Sequence, residues 1–200
     1  MRYGLAFYNA NINKRLTELA INAVNRKEMK VSTVDDKAKT GHTTRASKNF
    51  WIHEHSVLKP FLDLALEINK AAGWEYDIDT IEPLQYTEYS SEVKGHYGWH
   101  ADQHSKPYED GRVRKLSFSV FLNDEYTGGE FDIETGMPSE PNRIKTLCVG
   151  KEEKQINETT MQLAVNGSVF FPSHYFHQVR PVESGLRKSL VGWVLGPKYR

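Results

Sequence analysis

The feature that most constrains this chain is a change of hydrophobic period near Tyr76. Before it, apolar residues recur at helical spacing. Leu16, Leu19, Ala20, Ala23 and Val24 form one stripe, with Asn11 or Asn13 as its cap. Leu58, Phe61, Leu62, Ala65 and Ile68 form a second, predicting a helix over about 56–72 that ends at Gly73. Between the two, residues 26–50 are polar and read as a long loop. After Tyr76 the pattern turns to period two. Candidate strands are PLQYTEYS, HYGWHAD, VRKLSFSVFL, GEFDIE, KTLCV, TMQLAV, GSVFFP and RKSLVGWVL. Turn signals separate them, among them Gly95, Gly111, Gly128-Gly129 and Asn166-Gly167, the last a strong hairpin signal.

Helices followed by roughly eight short strands predict an α+β, mainly β fold. The expected core is a jelly roll with the N-terminal helices packed on its major sheet. The expected organisation is one domain over 1–200, with 1–75 as helical support and 76–200 as the core. The polar stretch 136–160 reads as an elaborated sheet edge or loop.

Composition narrows the function classes. Lys plus Arg equals Asp plus Glu at 26 each, so the chain lacks the basic footprint of a dedicated nucleic-acid binder. The single cysteine, Cys148, excludes an intrachain disulfide framework and any CxxC motif. No apolar run approaches the roughly 20 residues of a membrane span, and the N-terminal apolar stretch is too short for a signal peptide. These features predict a soluble, cytoplasmic protein.

The histidines carry the chemistry. In a strand, His100 and Asp102 of His100-Ala101-Asp102 would project from one face. Alone, such a pair arises easily by chance. His177 lies after another strand and supplies a third candidate ligand. Two imidazoles and one carboxylate make the facial set of non-haem Fe(II) oxygenases, with positions left open for reactants; zinc accepts the same ligands. His174 is the alternative third ligand. His96 and His104 read as cleft or solvated residues, His53 and His55 as surface residues before the second helix, and His42 as a loop residue without a site role. Arg187 and Ser189 share a face of the last strand, where a buried arginine beside a hydroxyl can hold a carboxylate. Arg112, Arg114 and Lys115 read as a solvated hairpin, with a substrate lid as the alternative. Trp51, Trp74 and Phe118 read as core or platform residues, and Tyr108 and Trp99 as candidates to line a peptide groove.

Taken together, these residues resemble the 2-oxoglutarate- and Fe(II)-dependent dioxygenases, specifically the prolyl 4-hydroxylase-like branch with the bacterial PKHD-type hydroxylases. The resemblance runs from about Arg45 to Trp193. The family's HxD and distal His fall on His100, Asp102 and His177. Its basic residue falls ten positions later on Arg187, where the PKHD branch carries Arg, and a Trp falls on Trp193. The run before the metal is Tyr97-Gly98-Trp99-His100. Tyr126-Thr127-Gly128-Gly129-Glu130 and Pro181-Val182-Glu183-Ser184-Gly185 match further segments. The turn between Tyr89 and Tyr97 is about two residues longer than usual, so Tyr89 or Tyr86 is the tyrosine that meets the co-substrate.

The resemblance implies a double-stranded β-helix, with metal ligands His100, Asp102 and His177. It also implies co-substrate contacts from Arg187, Ser189, Tyr89, Tyr97 and Trp193. The implied cofactors are Fe(II), 2-oxoglutarate and O2, with ascorbate as a further candidate. The implied reaction hydroxylates an unactivated C–H bond and yields succinate and CO2. A proline in a peptide or protein is the first expected target. A free amino acid or other small molecule is the second reading, and a non-catalytic metal- or ligand-binding jelly roll the third.

Overall fold

A computed structural model describes residues 5–25, 28–35, 43–136, 142–150 and 159–199. His42 and parts of the 136–160 stretch (137–141 and 151–158) lie outside the described residues. The elements in chain order are β1 (Tyr8–Asn11), α1 (Lys14–Asn22), β2 (Lys30–Asp35), β3 (Thr43–Ile52), α2 (His55–Ala71), β4 (Thr80–Ile81), β5 (Leu84–Ser90) and β6 (His96–His100). They continue with β7 (Arg112–Phe121), β8 (Tyr126–Gly128), β9 (Phe131–Glu134), β10 (Ile144–Val149), β11 (Thr160–Leu163), β12 (Gly167–Pro172), β13 (His177–Val179) and β14 (Val182–Pro197).

The strands follow one path, β1-β12-β7-β14-β5-β3-β6-β13-β9-β10-β11. It curls on itself, and the β3–β6 step, pairing Arg45 with Tyr97, joins the two halves. The 16-residue β14 is the spine of the first half, with β5 along one edge and β7 along the other. All pairings among the described strands are antiparallel except β10 with β11. The result is the expected jelly roll with helices outside.

Alternation on β7 explains the layering. Leu116, Phe118 and Val120 point to one core, while Ser117, Ser119 and Phe121 point to the opposite face. The first core receives α2 through Val57, Phe61, Ala65 and Ile68, spaced to form a single stripe. Phe61 stacks on Phe118 at 5.8 Å between ring centroids. Each fully buried side chain of this kind contributes about 1.5–3 kcal/mol. The second core lies between the two halves and includes Phe121, Phe131, Ile133, Leu147 and Phe171. Among the described residues, no helix is long and apolar enough to cross a membrane.

Asn13 caps α1, its Oδ1 accepting from the Arg15 N–H. Gly73, with φ of +72°, follows the end of α2 as expected. Two expectations are corrected. The described residues within 26–50 are not a long loop: β2 and β3 form an antiparallel pair there, so strands as well as helices make up the first 75 residues. The inward face of β3 is polar, with Arg45, Ser47 and Asn49 all buried, so no apolar alternation marks it. Asn166-Gly167 makes a turn, with Asn166 at φ +67°, but not a hairpin. β11 pairs with β10, while β12 pairs with β1 and β7.

Candidate active site

The two halves enclose a cavity of about 180 Å³. β6 delivers His100 to one end, and β13 starts with His177 directly opposite it in register. β6 ends at His100, so Asp102 comes from the bend beyond and not from strand alternation. That bend is anchored where the Gln103 N–H donates to the Ser173 carbonyl at 2.9 Å. Asp102 Oδ1 lies 3.7 Å from His100 Nε2, and Oδ2 lies 3.5 Å from His177 Nε2. One potential ligand atom from each residue falls within a 4.8 Å cluster.

The second ring nitrogens are engaged. His100 Nδ1 is 2.8 Å from the Gly98 carbonyl, and His177 Nδ1 is 3.1 Å from that of Tyr175. A proton on each Nδ1 leaves each Nε2 lone pair facing the shared point, the tautomer a metal ligand needs. Burial, with His177 beside it, pulls the His100 imidazole down to about 4. Burial would push the Asp102 carboxyl up, but His177, His100 and Arg114 outweigh it and hold it below its ordinary value.

The cavity also holds a buried cation. Arg187 is 1% exposed, and its Nε, Nη1 and Nη2 have no hydrogen-bond acceptor among the described residues. Ser189 Oγ and Trp193 Nε1 are likewise buried and unpaired. A buried guanidinium in this state is costly unless an anion completes it. The donor set fits a carboxylate, and it lies in the same cavity as the His/Asp/His cluster. Tyr89 faces the same cavity, its ring 5.4 Å from Arg187 Cζ. Tyr86 points the other way, into the first core, so of the two tyrosines only Tyr89 lines the cavity.

Every expected site residue therefore lines this one cavity: His100, Asp102, His177, Arg187, Ser189, Tyr89, Tyr97 and Trp193. His174 is exposed and outside the ligand cluster. His53, His55 and His104 are exposed, and His96 Nδ1 is engaged with the Lys94 carbonyl. The reading of Arg112, Arg114 and Lys115 as one solvated hairpin is corrected. Arg112 stays at the surface with Asp79 and Asp110. Arg114 lines the cavity, donates from Nε and Nη2 to the two oxygens of Glu82, and lies 4.2 Å over the Trp193 ring. Lys115 is buried against Tyr199. Trp99 alternates with His100 and is 43% exposed, so it does not line this cavity. Trp51 acts as a platform at the cavity, 5.8 Å from Trp193.

Arg45 and Gln85 are cavity residues that the sequence pattern does not single out. The period-two spacing of Arg45, Ser47, Asn49 and Trp51 is the one signal that points to them, hidden because three of the four are polar.

A curled jelly roll with a His/Asp/His cluster and a buried arginine in one cavity is a double-stranded β-helix with a candidate metal site. The chain matches the family profile of the 2OG-Fe(II) oxygenase superfamily over residues 84–195 and belongs to that family. It is 33% identical over 106 residues to a PKHD-type hydroxylase of Synechococcus sp. (strain CC9902), covering 52% of this chain and 38% of that protein. The chain thus spans about two fifths of the length of the first curated relatives it matches. Its fold is similar to a Pseudomonas putida prolyl-4-hydroxylase, with TM-score 0.65 and 18% identity over 96% of this chain and 94% of that one. It is also similar to a Trichoplax adhaerens prolyl hydroxylase in complex with a hypoxia inducible factor oxygen degradation domain peptide fragment. There the TM-score is 0.60 at 17% identity, covering 94% and 83% of the two chains.

Proposed function

We propose that this chain is an Fe(II)- and 2-oxoglutarate-dependent dioxygenase that hydroxylates a peptidyl proline, releasing succinate and CO2, and that it works as one domain. The observation that carries this reading is Arg187: a buried guanidinium whose three nitrogens have no hydrogen-bond partner among the described residues, in the same cavity as the His100/Asp102/His177 cluster. Bound Fe(II), 2-oxoglutarate and O2 would together supply the oxidising power for C–H hydroxylation.

The chain's own residues supply placement. His100, Asp102 and His177 would hold the metal from one side and leave its remaining positions to reactants. Arg187 and Ser189 would bind the far carboxylate of the co-substrate, and Trp193 Nε1 and Tyr89 border the same space. Phe131, Phe171 and Val179 line the cavity and would limit the water around a bound co-substrate. A peptidyl proline target is supported by the PKHD-type and prolyl hydroxylase relatives.

The test is turnover of the purified chain with Fe(II), 2-oxoglutarate and O2, with and without ascorbate. Proline-containing peptides are compared with free amino acids, reading succinate release and gain of one oxygen by mass. Peptide-dependent succinate supports the reading. Turnover only with free amino acids overturns the peptide target, and absence of succinate under all conditions overturns the activity.

A further inference from the structure

We propose that Arg45 is a positioning residue for the metal centre, clamping Tyr97 onto His100 so that an aromatic stack sets the plane of that imidazole. The inference rests on the reading of His100 as a metal ligand.

The two histidines of the cluster are braced differently. The His177 ring packs against Phe131 at 5.5 Å and Phe171 at 4.8 Å, both buried in the core between the two halves. Hydrophobic packing braces it, together with the Nδ1 contact to the Tyr175 carbonyl. His100 sits at the end of β6, and its aromatic neighbours are His177 and Tyr97. The Tyr97 ring lies 3.6 Å from the His100 ring with only 15° between the planes. The imidazole fills one face of the phenol, so the Arg45 guanidinium, its Cζ 4.6 Å from the ring centroid, covers the other.

Arg45 is itself held in place. It is 8% exposed, its Nε donates to Ser47 Oγ at 2.9 Å, and its Nη2 donates to Gln85 Oε1 at 2.6 Å. Ser47 in turn donates to Asn49 Oδ1, and Thr87 donates to Gln85 Oε1. None of these partners is a carboxylate. A buried cation held by neutral partners alone gains from facing the negative face of an aromatic ring. The polar inward side of β3 is thereby explained: it is a ladder that aims one guanidinium at one ring. The ladder also crosses the step at which the two halves of the sheet join, since Arg45 and Tyr97 are partners in register.

The test uses the full chain and Co(II) alone, without 2-oxoglutarate, followed by the visible absorption of the bound ion. Arg45→Gln should weaken Co(II) binding about tenfold or more, as expected for loss of an outer ligand-orienting contact, and shift the bands. Arg45→Lys, which keeps a cation over the ring, should restore most of the affinity. Tyr97→Phe, which keeps the ring but loses the hydroxyl that Arg45 also hydrogen-bonds, should keep most of the affinity, and Tyr97→Leu should show the same loss as Arg45→Gln. The Arg45→Gln/Tyr97→Leu double variant should be no worse than Tyr97→Leu alone. Wild-type affinity and bands in Arg45→Gln, or additive losses in the double variant, would overturn the proposal. Should Arg45→Gln fail to fold, the Tyr97→Leu and Tyr97→Phe comparison decides: equal binding overturns the clamp. Wild-type protein that binds no Co(II), with His100→Ala as the control, overturns the metal reading itself.

Discussion

Gly129 and Arg187 are in contact: a Cβ at position 129 would come within 2.9 Å of Arg187 Cδ. Gly129 also has φ of +62°, a conformation that side chains strain to adopt. The Gly-Gly turn after β8 is therefore shaped around the stem of the buried arginine. Gly129→Ala should raise the Kd for 2-oxoglutarate about tenfold, equivalent to roughly 1.4 kcal/mol, by displacing the guanidinium. Calorimetric titration of the metal-loaded protein checks this, with Co(II) affinity expected to stay near wild type.

Arg187→Met should separate stability from function. It removes a buried charge that has no hydrogen-bond acceptor among the described residues, which should stabilise by roughly 1–3 kcal/mol, and it should abolish tight 2-oxoglutarate binding. Urea unfolding and 2-oxoglutarate titration measure the two effects. A variant that is less stable and still binds 2-oxoglutarate tightly would sink the assigned role.

The ligand cluster makes a prediction that distinguishes its histidines. Saturating Co(II) or Ni(II) at about 100 times Kd should stabilise the wild-type chain by about 2.7 kcal/mol, and chelation should remove the gain. His100→Ala, Asp102→Ala and His177→Ala should lose that metal-dependent rise in Tm. His174→Ala should keep it, because His174 is exposed and outside the cluster.

Phe61 ties α2 to the outer face of the sheet through Phe118. It is fully buried, so Phe61→Ala should cost about 3–5 kcal/mol by leaving a cavity. The midpoint of chemical unfolding reports it.

Cys148 is buried on β10, and burial pushes its thiol up. It should therefore react with iodoacetamide far more slowly in the native protein than in denaturant at the same pH. Equal rates would show that β10 opens readily.

Much of the site is legible in the amino-acid sequence. Arg187 and Ser189 stand out at the head of an apolar strand, whereas His100, Asp102 and His177 lie in short polar segments and are legible through their spacing to each other and to Arg187 and through the family resemblance. Asp102 reaches the cluster by a different route from the one its spacing suggests, since a bend and not strand alternation brings it to His100. The reverse case is β3. Its inward residues are polar because they serve the cavity, so the pattern that betrays a strand is absent and nothing local marks Arg45. Arg114 is hidden for a related reason: its partner Glu82 is 32 positions away, and only the pairing of the two reveals a half-buried ion pair.

The sequence by itself determined the residue types of the site, their local spacing and the change from helical to strand period. Local spacing suffices for these because alternation and capping act over a few residues. Only the tertiary structure decided which residues share the cavity. It set His100 opposite His177, turned Tyr89 into the cavity and Tyr86 into the first core, faced Trp99 away from the cavity and laid Arg45 over Tyr97. Those outcomes depend on strand register and on how the sheet curls. Both are set by packing between segments far apart in the chain, where no local pattern carries the information.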